Sequence, residues 1–459
     1  MAQNPSEAPA LARSESSGGR VTLGTLLSWA LPVFALSSPL FFIQFFFLKF
    51  STDVLLLPPL VVGLLFASGR AWDAISDPIV GTWSDRTRTR LGRRRPWMLA
   101  GVPLLAVAIL MVWIPPASLE GGALIGWVAV SLFFFYTAFT TYIVPHSALG
   151  AELSTDHHDR SRIFGVQNAS FTLGMMMAFA GMQYVTLAED PRAAMRLLVS
   201  IGVVVMVVIL LVPPLRVHER AEYQGRGGDN PMRAMRDVVQ NVHARRLLFA
   251  QGVQMLGASV LGILSPYLFE YILKRPGLIG PLPAVFVVCS IASIPFWVRM
   301  SRRFGKRETW MSAMVLAGLA FGSGFFLGEN DVGGAVVLMV VAGFALGCGG
   351  SVGPSILADV IDDDELRTGE RKEGAYNASW GFAIKTSNAF VILVTGVALQ
   401  LSDFTPNVEQ SAETKLMLRL LYAVLPLTMF LTAAWVLRGF KLDATEHARI
   451  RAELDRRNA

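Results

Sequence analysis

Asp73 and Asp77 stand in the run Gly69-Arg70-Ala71-Trp72-Asp73-Ala74-Ile75-Ser76-Asp77-Pro78, inside a segment otherwise apolar enough to cross a membrane. On a helix, residues four apart share a face, roughly 6 Å from each other. A carboxylate at bilayer depth is costly and by default marks a functional site. At an effective dielectric near 20, two charges about 6 Å apart repel by roughly 3 kcal/mol. One proton or one sodium ion relieves that repulsion. The pair is therefore a candidate site for a monovalent cation.

Helices must hold such a pair in place. The chain has 459 residues, 53% hydrophobic and only 16% charged, whereas soluble domains carry about 25% charged residues. A spanning helix needs roughly 20 apolar residues. About twelve such runs follow one another, at 22–48, 57–82, 97–116, 121–146, 163–187 and 193–216, then 247–273, 279–299, 308–328, 333–359, 374–401 and 416–438. An all-α polytopic membrane protein is expected. The first twenty residues are polar and lack the apolar core of a secretory signal. The formal charge of +6 reads as basic loop anchors, with no nucleic-acid partner. Cys289 and Cys348 lie in apolar segments and offer neither a disulfide framework nor a thiolate metal site. No phosphate-loop lysine motif and no concentrated acid/base or metal cluster is present, and His157-His158-Asp159 reads as solvated loop. Neither an ATP-driven pump nor an enzyme is expected, and no cofactor beyond a coupling ion.

The polar stretch 217–246 contains Gly225-Arg226-Gly227-Gly228-Asp229-Asn230-Pro231. It reads as a cytoplasmic linker, with a short amphipathic helix at 232–242, between two six-helix bundles at 22–216 and 247–438. Tails at 1–21 and 439–459 flank them. Arg86, Arg88, Arg90, Arg93, Arg94 and Arg95 crowd the second loop, and Arg299, Arg302, Arg303, Lys306 and Arg307 the eighth. Loops on the other side, such as 117–121 and 328–332, carry no Lys or Arg. By the positive-inside rule both termini are cytoplasmic. The halves also repeat. Ala151-Glu152 recurs as Ala358-Asp359, and Gly165, Asn168, Ala169 and Ser170 recur at constant offset as Gly374, Asn377, Ala378 and Ser379. Leu91-Gly92-Arg93-Arg94 has a counterpart in Phe304-Gly305-Lys306-Arg307. Parallel halves with a site between them describe an alternating-access transporter, and a monomer is expected because one chain carries both.

Gly81-Thr82-Trp83-Ser84-Asp85-Arg86 followed by Gly92-Arg93-Arg94-Arg95-Pro96 resembles the signature loop of the major facilitator superfamily. Together with 72–78, Ala358-Asp359-Val360-Ile361-Asp362 and Thr368-Gly369-Glu370-Arg371-Lys372-Glu373-Gly374, it resembles the glycoside-pentoside-hexuronide:cation symporters, over roughly 25–435. The resemblance implies cation-coupled uptake of a small molecule across the cytoplasmic (inner) membrane, with sodium or a proton as coupling ion. It matches Asp73 and Asp77 to the family's cation-binding aspartates, with Ser76 replacing an intervening asparagine. Thr140 matches a further cation-site position and Lys385 an intramembrane lysine. Sodium would take the carboxylates plus the hydroxyls of Ser76 and Thr140. The ammonium of Lys385, facing the pair across the cavity, could neutralise a carboxylate until the cation enters.

The expected substrate site departs from the family pattern. Ser37 and Ile143 fall where that family places sugar-binding aspartates, and Gln167 where it places an arginine. Gln44, Asn168 and Asn377 could bind hydroxyls, and Trp72 and Trp380 could stack on sugar faces. A sugar or glycoside-like solute is expected. The segment Val144-Pro145-His146-Ser147-Ala148-Leu149 also resembles the lysophospholipid symporters of the same branch, so an amphiphile stays open. A non-transporting sensor would be expected to lose the carboxylates that this chain keeps. Asp85 with Arg86, Arg93 and Arg94, and Glu152 or Asp359 as further acceptors, are expected to form an inner gate. Glu270 reads as an exposed face residue.

Overall fold

The computed structural model describes residues 23–151, 157–216, 236, 238–440, 442 and 444–458. Twelve long helices follow in order: α1 Leu23–Asp53, α2 Pro59–Arg86, α3 Arg95–Trp113, α4 Gly121–Ala151, α5 His157–Thr186 and α6 Pro191–Leu210, then α7 Val242–Tyr267, α8 Pro281–Phe304, α9 Lys306–Ser323, α10 Val332–Thr368, α11 Glu373–Leu401 and α12 Ala412–Leu437. No strand occurs among the described residues beyond an isolated bridge between Thr89 and Gly92. Ten of the helices are long and apolar enough to cross a membrane. The other two, α2 and α5, have 28 and 30 residues. Length suffices in both, and polarity sets them apart, because they carry Arg70, Asp73 and Asp77, or Gln167 and Asn168.

Helix ends follow local chemistry. Asp190 caps α6 by accepting from the Ala193 amide, ahead of Pro191 in the first turn, where a missing N–H costs nothing. The Asn241 side chain accepts from the amides of His243 and Ala244 at the start of α7. A π turn, Leu268–Ile272, ends α7, and another, Leu420–Val424, interrupts α12.

The two sets of six pack alike. In the first, α1 lies on α5, α2 and α3 on α4, and α3 on α6; in the second, α7 lies on α11, α8 and α9 on α10, and α9 on α12. Each contact maps onto its counterpart six helices later, as the parallel sequence repeat requires. Gly343 and Gly347 admit α8 against α10: a Cβ on them would lie 2.4 Å from the Phe286 carbonyl oxygen and 2.2 Å from that of Ser290.

Between the sets, α2 meets α11, α5 meets α8, and α1 meets α7. A Cβ on Gly396 would lie 2.5 Å from the Pro59 carbonyl oxygen, so α2 and α11 touch through backbone at the end remote from the arginine-rich loops. Toward the basic end, Ile79 and Trp83 on α2 and Asn377 and Phe382 on α11 are exposed. The described hydrogen bonds and ion pairs joining the halves lie at Lys385 or farther from the basic end. The cleft is thus closed remotely and open at the basic end.

The segment after α12 is more than the tail expected from sequence. Helix α13, Ala444–Asn458, packs on α10, burying Ile450 and Leu454. The amphipathic helix expected at 232–242 lies largely outside the described residues.

Candidate functional site

Asp73, Ser76 and Asp77 share one face of α2, as their spacing demands. Opposite stands Lys385 of α11, whose Nζ is 2.5 Å from Asp77 Oδ2 and 2.8 Å from Asp73 Oδ2. Thr140 of α4 donates to Asp77 Oδ1 at 2.9 Å, and its hydroxyl is 3.2 Å from that of Ser76. The residues expected to form the cation site are therefore together, and an ion pair between the halves crosses the site.

Arg70, in the same run as the aspartates, takes a part that its position in the sequence does not assign. One turn before Asp73, its Nη1 lies 3.5 Å from Asp73 Oδ2, and its Nη2 donates to Gln44 Oε1 of α1 at 3.3 Å. The guanidinium also lies over the Tyr136 ring, 5.5 Å from its centroid. The two aspartates consequently differ. Asp73 is 4% exposed and has both Arg70 and Lys385; Asp77 is 32% exposed and has Lys385 as its cationic partner. Removing Lys385 would leave Asp73 paired and Asp77 without a cation. The available signal was an arginine at i−3 from an intramembrane aspartate, itself costly in lipid.

The positions expected to bind substrate scatter. Ser37 is buried where α1 meets α5 and donates to the Phe34 carbonyl. A Cβ on Gly174 would lie 1.9 Å from its oxygen, so packing occupies Ser37. Gln44 is held by Arg70, and the Trp72 indole donates to Thr137 at 2.8 Å and packs on Phe133. Ile143 and Gln167 are half-buried, whereas Asn168 and Asn377, equivalent in the sequence repeat, are both exposed. Trp380 is half-buried, 6.3 Å from Trp310 between ring centroids.

At the basic end, Asp85 accepts from Arg94 at 3.3 Å and lies 3.9 Å from Arg93, while Arg86 is exposed at the end of α2. Glu152 lies outside the described residues. Asp359 differs from expectation. Rather than meeting the arginines of the second loop, it takes Lys306 at 2.6 Å and His447 of α13 at 3.4 Å. The reason is proximity: α9, α10 and α13 converge there within one half.

A second cluster was missed altogether. Lys49, near the end of α1, lies 2.5 Å from Asp53 and 2.6 Å from Glu270 of the other half. Tyr271 donates to Asp53 at 2.6 Å, the Thr52 and Tyr267 hydroxyls are 2.9 Å apart, and Asn407 donates to the Asp53 carbonyl at 2.8 Å. Glu270 is thus no free surface group. The π turn ending α7 carries both Glu270 and Tyr271, and such turns occur frequently at functional sites. A lysine four residues before an aspartate at the end of an apolar span was the readable clue.

Residues 28–444 match the family described as MFS/sugar transport protein. The chain is 24% identical to the isoprimeverose transporter of Lactiplantibacillus pentosus, over 94% of this chain and 91% of that one. It is 23% identical to the sodium-dependent lysophosphatidylcholine symporter 1 of Xenopus tropicalis, over 85% and 81% respectively. A solved D-xylose-proton symporter has the same fold, with a TM-score of 0.64 at 14% identity, covering 90% of this chain and 97% of that one. With the repeated helix packing and a family match over most of its length, the chain belongs to the MFS/sugar transport protein family, a group of membrane transporters rather than enzymes.

Proposed function

We propose that this chain is a monovalent-cation symporter that takes up a hydroxyl-rich organic solute, a sugar or glycoside, by alternating access across the cytoplasmic membrane, with both termini in the cytoplasm. The observation that carries this reading is the ammonium of Lys385 lying on both Asp73 and Asp77 across the boundary between the halves. In the absence of a cation Lys385 and Arg70 together balance the two carboxylates, with Lys385 as the cationic partner of Asp77. An entering cation takes over that role, with carboxylate oxygens of Asp73 and Asp77 and the hydroxyls of Thr140 and Ser76 as ligands. Four hard oxygen donors favour sodium over a proton, which needs only one carboxylate. Displaced from α2, Lys385 no longer ties the halves at mid-depth. Cation and substrate each favour the occluded arrangement and thereby favour one another.

Asn168 and Asn377, exposed on opposite halves, supply amides for hydroxyls, and Trp380 a stacking face. The relative named as an isoprimeverose transporter supports a sugar. A second reading, an amphiphile, is supported by Ile143 and the exposed Ile79 and Phe382, and by the relative named as a lysophosphatidylcholine symporter. Asp85 with Arg93 and Arg94 forms part of the inner gate in this proposal.

Uptake into proteoliposomes separates these readings. Labelled sugars and lysophospholipids are supplied under an inward sodium gradient, an inward proton gradient or neither. Sugar accumulation under the sodium gradient is expected. Equal equilibration of solute with and without either gradient would reject symport.

A further inference from the structure

On its outer surface the first half carries an elongated cavity between α1, α3, α5 and α6, of about 490 Å³. Its wall is almost wholly apolar, with Leu197, Ile201 and Val205 exposed along α6. From Leu197 to Ile209 the lining extends roughly 18 Å at the helical rise, a little over half of a hydrocarbon core about 30 Å thick. A second cavity, of about 300 Å³, adjoins it at Trp113, which lines both. This one sits at the start of α6, remote from the basic loops, and Arg192, Arg196 and Asp190 reach into it.

The charges there are unequally used. Asp190 is committed to the Ala193 amide at 3.0 Å. Arg192 donates to the Val54 carbonyl at 3.1 Å and keeps other N–H groups. Arg196, a turn farther into the helix, has no hydrogen bond or ion pair among the described residues. Of the other basic residues on the same surface, Lys274 is matched by Glu329, Lys415 by Glu409, and Arg419 by the Leu327 carbonyl, while Arg275 is exposed and lines neither cavity. A planar guanidinium presents a fork of donors that matches phosphate oxygens bidentately, and here it stands at the end of an apolar slot.

We infer that the two cavities together seat one resident phospholipid of the leaflet remote from the basic loops. Its phosphodiester lies on Arg192 and Arg196, and one acyl chain fills the slot between α1, α3, α5 and α6. This lipid is separate from the transported solute, because no residue of the Asp73–Asp77–Lys385 cluster lines either cavity. Since the seat exists only in the folded helices, occupancy stabilises the first half by mass action.

The test uses purified full-length protein in detergent and three probes: dioleoylphosphatidylglycerol, dioleoylglycerol without phosphate, and glycerophosphoglycerol without chains. Melting temperature and lipid retention in native mass spectrometry are read. Only the phospholipid is expected to raise the melting temperature and to be retained. Arg192→Gln and Arg196→Gln should each weaken its binding by about tenfold, the loss of one charge-assisted hydrogen bond. Gly202→Leu fills the slot at a position where a Cβ meets nothing within 4 Å, and should abolish the shift. If that variant melts differently without lipid, the surface arginine variants carry the test. An equal shift with dioleoylglycerol, a shift with glycerophosphoglycerol alone, or unchanged binding in both arginine variants overturns the proposal.

Discussion

Lys385 and Lys49 each gather two carboxylates and each ties one half of the molecule to the other, yet their surroundings differ. Lys385 is 31% exposed and holds Asp77, itself 32% exposed, in a cleft open at the basic end. Lys49 is 5% exposed, with Asp53 at 6% and Glu270 at 25%, and the rings of Tyr267 and Tyr271 lie about it, centroids 5.3 and 5.0 Å away. In the proposed mechanism the first lysine exchanges its role with an ion from solution; the second is walled in by aromatics and hydroxyls. In the central cluster Asp73 is buried, and only the Lys385–Asp77 pair has both partners about a third open to the cleft, where solvent screens their attraction. Removing one partner of a buried pair costs about 3–5 kcal/mol, because a charge is stranded. The central cluster is accordingly suited to exchange, and the remote cluster to holding the halves shut.

Breaking the central cluster should give the largest effect on transport. Asp77→Asn is expected to reduce gradient-driven accumulation to background while leaving solute exchange; full accumulation in proteoliposomes would remove Asp77 from coupling. Lys385→Ala should lower the ratio of cation to solute moved, and an unchanged ratio would make the bridge merely structural. The largest effect on stability should come from the remote cluster. Lys49→Met is expected to destabilise by about 3–5 kcal/mol, and Glu270→Gln added to it should recover part of that loss. Equal melting temperatures for Lys49→Met and wild type would erase the contrast between the clusters. A smaller change sharpens the ion site: Thr140→Val should weaken sodium dependence of uptake about tenfold, one hydroxyl ligand being worth on the order of 1.4 kcal/mol.

The smallest effect lies at the remote surface. Bonds from Lys415 and Lys274 hold Glu409 below the usual carboxylate range, and bonds to Glu329 and Glu409 hold Lys274 above the usual ammonium range. The Glu409 contribution is complete above the ordinary glutamate value and is lost as pH falls through the lowered one. The Lys274 contribution is complete below the ordinary lysine value and is lost as pH rises through the raised one. Both groups are fully exposed, so Glu409→Gln should leave the melting temperature at neutral pH unchanged within error, in contrast to Lys49→Met.

Much of the fold was readable from hydropathy and repetition. The repeat relating Asn168 to Asn377 anticipated a packing pattern that recurs six helices later. The carboxylate pair was readable because intramembrane charge is rare and helical spacing fixes its face. The substrate positions were less so. Ser37 and Trp72 are polar or aromatic residues within spans, and nothing local distinguishes a cleft-facing side chain from one used in helix packing. Glu270 looked like surface because its partner, Lys49, is more than two hundred residues away and a π turn redirects it.

Sequence alone determined the membrane helices, the parallel halves and the aspartates at one face of α2, since each follows from local periodicity and the cost of charge in lipid. The likeness to the symporters already set Lys385 opposite the pair; only tertiary structure decided that its ammonium bonds both carboxylates at once, that Arg70 backs one of them, and that Lys49 closes the remote end. Those pairings join helices far apart in the chain, and the approach of two helices depends on packing contacts, such as Gly63 and Gly396 against the facing backbone, that no short window of residues contains.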